Sequence, residues 1–192
     1  MMIICITGLT GSGKSTLAKR LSKRYGFKIV SGGEILKKIK GRPSEVGWWE
    51  REAGQSFLDE RARSFKYDLE VDRFLLETAE KSDNIIFDSW TMAYLLENAL
   101  KIYLKADLKV RASRVSKRDG LDYETCLERI KNKDLKTVEI YRKLYGFDLL
   151  YDMEPFHLVL DTTRLSEEDV EEIASTIIDA YLDGGTILDL RR

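Results

Sequence analysis

Histidine and cysteine are nearly absent, with one of the first and two of the second in 192 residues. A single imidazole and no Cys-x-x-Cys pair exclude a zinc centre. Cys5 and Cys126 read as buried, reduced thiols rather than a disulfide framework. His157, inside the apolar run 156–160, reads as a packed core or edge residue. Proline occurs twice and glutamine once, the latter beside 34% charged residues, a composition suited to heat. No stretch of eighteen apolar residues exists to span a bilayer, and the N-terminal apolar run is too short for a signal peptide. A cytoplasmic protein without membrane contact is expected. Lys and Arg together number 32 against 33 Asp and Glu, a net charge of −1, so no global field favours DNA or anionic lipid.

Glycine, by contrast, is concentrated in one place. Gly8, Leu9, Thr10, Gly11, Ser12, Gly13, Lys14, Ser15 and Thr16 form a complete Gly-x4-Gly-Lys-Ser loop. Before it runs the β-branched segment Met2–Ile6, expected of a central parallel strand covered on both faces. Behind it Leu17, Leu21 and Tyr25 recur at helical spacing. Strand, glycine loop and helix in that order make a phosphate cradle, with backbone N–H groups and the positive helix end aimed at anionic oxygens. Lys14 is expected on the β and γ phosphates of a nucleoside triphosphate and the Ser15 hydroxyl on Mg²⁺. ATP and Mg²⁺ are the expected cofactors.

The length suits one domain. Five apolar segments read as strands, at 3–7, 28–30, 84–88, 101–104 and 157–160. Helical periodicity covers roughly 14–25, 31–40, 57–80, 107–118, 122–145 and 166–182. This alternation predicts a P-loop NTPase fold, a three-layer α/β/α sandwich on a five-stranded parallel sheet. The interval 31–83 is too long for a plain crossover and predicts a helical insertion over the carboxyl edge of the sheet. A charged stretch from Arg111 to Asp122, broken at Gly120, is a second insertion candidate. Gly184-Gly185 ends the last helix, and the tail to Arg192 has no assigned role.

The third strand delivers Asp88 to the carboxyl edge beside the loop, where a carboxylate can hold the Mg²⁺ shell or orient an acceptor. Asp88 also reads as a helix N-cap before residues 90–98. Arg111, Arg114 and Arg118 fall on one helical stripe, suited either to the γ phosphate in a closing lid or to a solvated basic face. Trp48, Trp49 and Trp90 offer a stacking wall for a flat acceptor or a small apolar core. Lys66, Tyr67, Asp68 and Asp72 share one face, either cleft lining or ion-paired surface. Arg51, Arg61 and Arg63 are candidates for phosphate contacts that spacing does not separate. No Asn-Lys-x-Asp segment is present to read guanine.

The chain resembles the archaeal type of cytidylate kinase, a nucleoside monophosphate kinase. Matching segments are Gly8–Thr16, Val30-Ser31-Gly32-Gly33-Glu34-Ile35, Val71-Asp72-Arg73, residues 102–106, residues 110–115 with Arg118, Leu144–Asp148 and Asp161-Thr162-Thr163. The resemblance implies a monophosphate-binding insertion at about 31–83 and a lid near 115–125. It implies Ser31, Gly33 and Asp72 near the acceptor and Arg114 and Arg118 over the phosphates. Three features depart from the family. Asp88-Ser89-Trp90 stands where Glu-Gly-Arg is usual, so Trp90 replaces an arginine that grips the acceptor phosphate. Lys37 stands for the arginine after the Ser-Gly-Gly-Glu turn, and Ile140 precedes Tyr141 in place of arginine. The donor half is intact and the acceptor half altered. The leading expectation is transfer from ATP, with Lys14, Asp88, Arg114 and Arg118 catalytic, to CMP, dCMP or a similar small acceptor held by Ser31, Gly33, Lys37, Asp72 and Trp90. A kinase for a non-nucleotide metabolite, and an ATP-driven switch binding protein or RNA, are the alternatives. The protein is expected to be a monomer or homodimer.

Overall fold

The structure, a computed structural model, describes residues 2–42 and 45–184. Five strands lie in one sheet: β1 (Ile3–Thr7), β2 (Lys28–Ser31), β3 (Ile85–Asp88), β4 (Leu100–Lys105) and β5 (Leu158–Asp161). All pairings are parallel and the order is β2-β3-β1-β4-β5, with Ile6 of β1 opposite Asp88 of β3 and Ile102 of β4. This is the doubly wound arrangement, whose carboxyl edge opens where neighbouring strands depart in opposite directions.

Both faces of the central strands are covered, which explains their unbroken apolar sequence. Ile4 and Ile6 pack on one side with Leu17 and Leu21 of α1 (Lys14–Tyr25) and with Val170, Ala174 and Ile178 of α8 (Glu167–Leu182). Cys5, Ile85 and Phe87 face the other side, against Leu36 of α2 (Gly32–Ile39), Phe57 of α3 (Glu52–Ser64) and Leu75 of α4 (Lys66–Glu80). Both cysteines are buried free thiols.

Between β2 and β3 the chain forms α2, a 3-10 turn at Trp48–Glu50, α3 and α4. One helix was expected over 57–80, but two form, broken at Phe65, whose φ of 53° is left-handed. That residue caps both helices although it is neither Gly nor Asn, so no turn signal marks the break. After β3 comes only a short helix, α5 (Met92–Leu95), with Thr91 at its N-cap position and no side-chain cap bond, so Asp88 is not its cap. The charged stretch from Arg111 runs through α6 (Leu108–Asp119), which turns at Gly120 into α7 (Tyr123–Tyr145), capped by Asp122. His157 precedes β5, and its Nδ1 accepts the Lys101 N–H at 3.1 Å. Gly184 has a positive φ of 73°; Gly185 and the tail lie outside the described residues. No described helix is long and apolar enough to cross a membrane.

Candidate active site

The loop between β1 and α1 folds only because glycine occupies it. At Gly8, with φ 145°, a Cβ would lie 2.1 Å from the Leu104 carbonyl oxygen; at Gly11, with φ 78°, it would lie 2.8 Å from that of Arg111. The cradle is then fixed from outside. Thr10 N–H donates to Asp134 Oδ1 at 3.1 Å, while Arg111 Nη1 donates to the Thr10 carbonyl at 2.9 Å and to Asp134 Oδ2 at 2.5 Å. Thr162 Oγ donates to the Ser12 carbonyl at 3.1 Å.

This cradle fits a polyphosphate. Helix α1 begins without a side-chain cap and without an acidic residue in its first turn, whereas α7 and α8 are capped by Asp122 and Ser166. Its first N–H groups are therefore left for an external anion. The Thr10 and Ser12 hydroxyls are buried without hydrogen-bond partners. Burial pushes the Lys14 ammonium down to about 8, against the pull of Asp88 and with Lys133 and Arg111 adding to the fall. Lys14 Nζ donates to the Leu9 carbonyl at 3.1 Å. A hard divalent cation also fits: Ser15 Oγ donates to Asp88 Oδ2 at 2.5 Å, an oxygen pair at the loop's mouth. Among the described residues no group of three His, Cys, Asp or Glu is placed to hold a metal ion by itself.

The arginine stripe does not act as one surface. Arg111 is buried under the loop in the pair with Asp134. Arg114 donates to the Thr162 hydroxyl at 2.9 Å and carbonyl at 2.6 Å. Arg118 makes a two-point bond with Asp119, at 2.6 and 2.5 Å, with Glu50 3.7 Å away. Helical spacing puts three residues on one side of a helix, but α6 passes three different neighbours along that side.

Beside the loop lies a narrow cleft with a cavity volume of about 70 Å³, between the segment that joins β2 to β3, the loop after β3 and α7. Gly33, Asp72 and Trp90 line it, together with Trp49, Arg61, Lys133 and Tyr141. Trp90 joins the two halves, since Lys14 Nζ sits 5.5 Å from its ring centre. Trp48 instead packs in the core against Phe57. Ser31 caps α2 and its hydroxyl reaches Asp88 at 3.5 Å. Lys37 is not in the cleft wall and pairs with Glu34 at 2.7 Å. Asp72 accepts from the Thr91 hydroxyl at 2.5 Å and the Tyr145 hydroxyl at 2.8 Å, yet burial raises it to about 6.

Of the three candidate arginines in the insertion, Arg61 alone is buried, with Nε and Nη2 bound to Asp68 and Nη2 also reaching the Tyr141 hydroxyl at 3.4 Å. Lys133 of α7 lies 4.7 Å from the Trp49 ring centre and 3.5 Å from Glu50, and burial lowers its pKa. Lys133, Asp134 and Glu50 were not singled out from the sequence. Lys133 and Asp134 fall on the inner face of a highly charged helix, where two more charged residues carry no distinguishing pattern.

A model of the cytidylate kinase-like family matches residues 3–164. The cytidylate kinase of Methanopyrus kandleri is 34% identical, with 95% of each chain covered. That of Ignicoccus hospitalis is 35% identical over 90% of this chain and 96% of its own. Among solved structures, an uncharacterized protein from Eubacterium ventriosum superposes with a TM-score of 0.65 at 20% identity, covering 94% of this chain and 99% of that one. The deoxyadenosine kinase of M. mycoides with bound dATP gives 0.57 at 22%, covering 93% and 100%. At those identities the structural likeness is one of fold.

Proposed function

Because this chain belongs to the cytidylate kinase-like family and is an ATP-dependent kinase of the nucleoside monophosphate kinase kind, we propose that it moves the γ-phosphate of ATP onto CMP or dCMP. The observation that carries the reading is the shared wall at Trp90, which borders the acceptor cleft while lying under the Lys14 ammonium. Two substrates on either side of it meet in line, and alignment with charge neutralisation suffices for phosphoryl transfer without a covalent enzyme intermediate.

In this reading Lys14 and the uncapped start of α1 hold the β and γ phosphates. Ser15 and Asp88 hold Mg²⁺, which when bound neutralises charge on the bridging phosphate oxygens. Lys133, close enough to Lys14 to depress its pKa, takes the acceptor phosphate in place of the family arginine. Trp49, Trp90 and Tyr141 sandwich the base. Asp72 accepts from its exocyclic amine and Arg61 donates beside it, an acceptor–donor pair complementary to cytosine. Arg114 and Arg118 exchange Thr162 and Asp119 for the γ-phosphate oxygens as residues 115–125 close over the site, the insertion 31–83 closing from the other side. A kinase of this kind works in the cytoplasm, where its nucleotides are.

A less charged acceptor is the second reading, favoured because each cation in the cleft already has a carboxylate: Arg61 has Asp68 and Lys133 has Glu50. Incubation with Mg-ATP and a panel of ribo- and deoxynucleoside monophosphates, nucleosides, small alcohols and acids, followed by mass analysis, separates the two. CDP or dCDP supports the first reading. A phosphorylated nucleoside or alcohol without any diphosphate product overturns it for the second, and phosphate release independent of every acceptor overturns both.

A further inference from the structure

Glu50 is a buried carboxylate outside the phosphate loop whose placement has no structural return of its own. It is 1% exposed, and neither carboxylate oxygen accepts a hydrogen bond. A buried carboxylate without hydrogen bonds is costly and needs compensating charge. Here that charge comes from two cations on two different elements. Lys133 Nζ on α7 lies 3.5 Å from Oε1, and Arg118 Nη2 at the end of α6 lies 3.7 Å from Oε2. Both distances are too long for charge-assisted bonds, which close to about 2.8 Å.

The turn that carries Glu50 is held firmly against both helices. Its carbonyl accepts from the Arg129 guanidinium, and a Cβ on neighbouring Gly47 would lie 3.0 Å from that of Asp119. The carboxylate is thus fixed while Lys133 is bound to it loosely, and Arg118, closed on Asp119 at 2.6 and 2.5 Å, meets it only at longer range. A phosphate, with more charge and three acceptor oxygens, outcompetes such a partner.

We infer that Glu50 is a positioning residue that stands in for the acceptor's phosphate, holding Lys133 until an anion enters the cleft. This rests on the proposed kinase reading for the identity of that anion, though not for its charge. When a phosphate takes Lys133, Glu50 is left with Arg118, which Asp119 already shares. Acceptor binding and the lid arginine are thereby linked through one carboxylate, and water is a poor substitute for the acceptor because it brings no charge to displace Glu50.

Inorganic phosphate is the probe, titrated calorimetrically into the wild type, Glu50→Asp and Glu50→Gln, each checked for its folded spectrum. Glu50→Asp draws the charge back by one methylene and Glu50→Gln removes it. Phosphate should bind about ten-fold more tightly to Glu50→Gln than to the wild type, with Glu50→Asp between. Hydrolysis of Mg-ATP without acceptor, water attacking the γ-phosphorus to release ADP, phosphate and a proton, should rise in the same order. A merely structural role would lower stability and leave both readouts unchanged or reduced. Either folded variant binding phosphate no more tightly than the wild type overturns the inference. Should the monophosphate panel give no diphosphate while this order holds, Glu50 keeps its role and the acceptor assignment falls; the converse removes Glu50 alone.

Discussion

Lys14 should take up a proton when ATP binds. Its ammonium is buried in the cradle and burial lowers its pKa from 10.5 to about 8. Between those values the folded protein binds fewer protons than the unfolded chain. Without ligand, stability therefore rises as pH rises through that window, by on the order of 3 kcal/mol in total. A polyphosphate reverses the situation by placing several negative charges against the ammonium, returning it to its ordinary range. With a free value of about 8, binding takes up about half a proton at pH 8, about nine-tenths at pH 9 and about one-tenth at pH 7. The assay is calorimetric titration of Mg-ATP in pairs of buffers with different ionisation enthalpies, where the slope of heat against buffer enthalpy is the proton count. Above pH 8, affinity should fall towards ten-fold per pH unit. Lys14→Arg keeps the charge at all these pH values and should show no uptake, whatever its affinity. A slope of zero for the wild type at both pH 8 and 9, or an equal slope in Lys14→Arg, refutes the reasoning.

Arg111→Ala should cost about 3–5 kcal/mol in denaturant unfolding, because it strands the buried Asp134 carboxylate; it should also weaken ATP binding by freeing Thr10, whereas a loss below 1 kcal/mol would show the pair to be dispensable. Asp72, raised to about 6, is protonated more readily folded than unfolded, so its contribution to stability is present at low pH and is lost as pH climbs through 6. Its ability to accept from an amine runs the other way. Acceptor kcat/KM should therefore fall below pH 6 in the wild type and lose that limb in Asp72→Asn, and an identical profile in the two proteins would take Asp72 out of base reading.

The parts of the molecule legible in its sequence are those where a local pattern meets a local cause. Met2–Ile6 is unbroken and apolar because both faces of β1 are covered, and the glycines at 8 and 11 stand where a Cβ would strike a carbonyl oxygen. The helices at 108–119, 123–145 and 167–182 follow their periodicity to within a residue or so. What the sequence hides is long-range partnership. Helical spacing put Arg111, Arg114 and Arg118 together, but their destinations are Asp134, Thr162 and Asp119, and the first two are fixed only when other elements fold beside α6. Arg61 differs from Arg51 and Arg63 solely in facing Asp68 across the bend at Phe65. That bend carries no glycine or proline to announce it, and tertiary packing imposes it. The cleft is assembled from α2, the turn at Trp48–Glu50, α3, α4, the loop after β3 and α7, so its lining is the portion least written in local pattern.

The tie on Thr10 has a consequence for how the protein comes to life. Its two anchors lie 101 and 124 residues further along the chain. A polypeptide emerging from the ribosome therefore makes the strand and the glycines first but cannot set the cradle until the middle of α7 has cleared the tunnel. Nucleotide capture is deferred until then, and ATP, binding only the finished arrangement, acts as a late clamp on the fold.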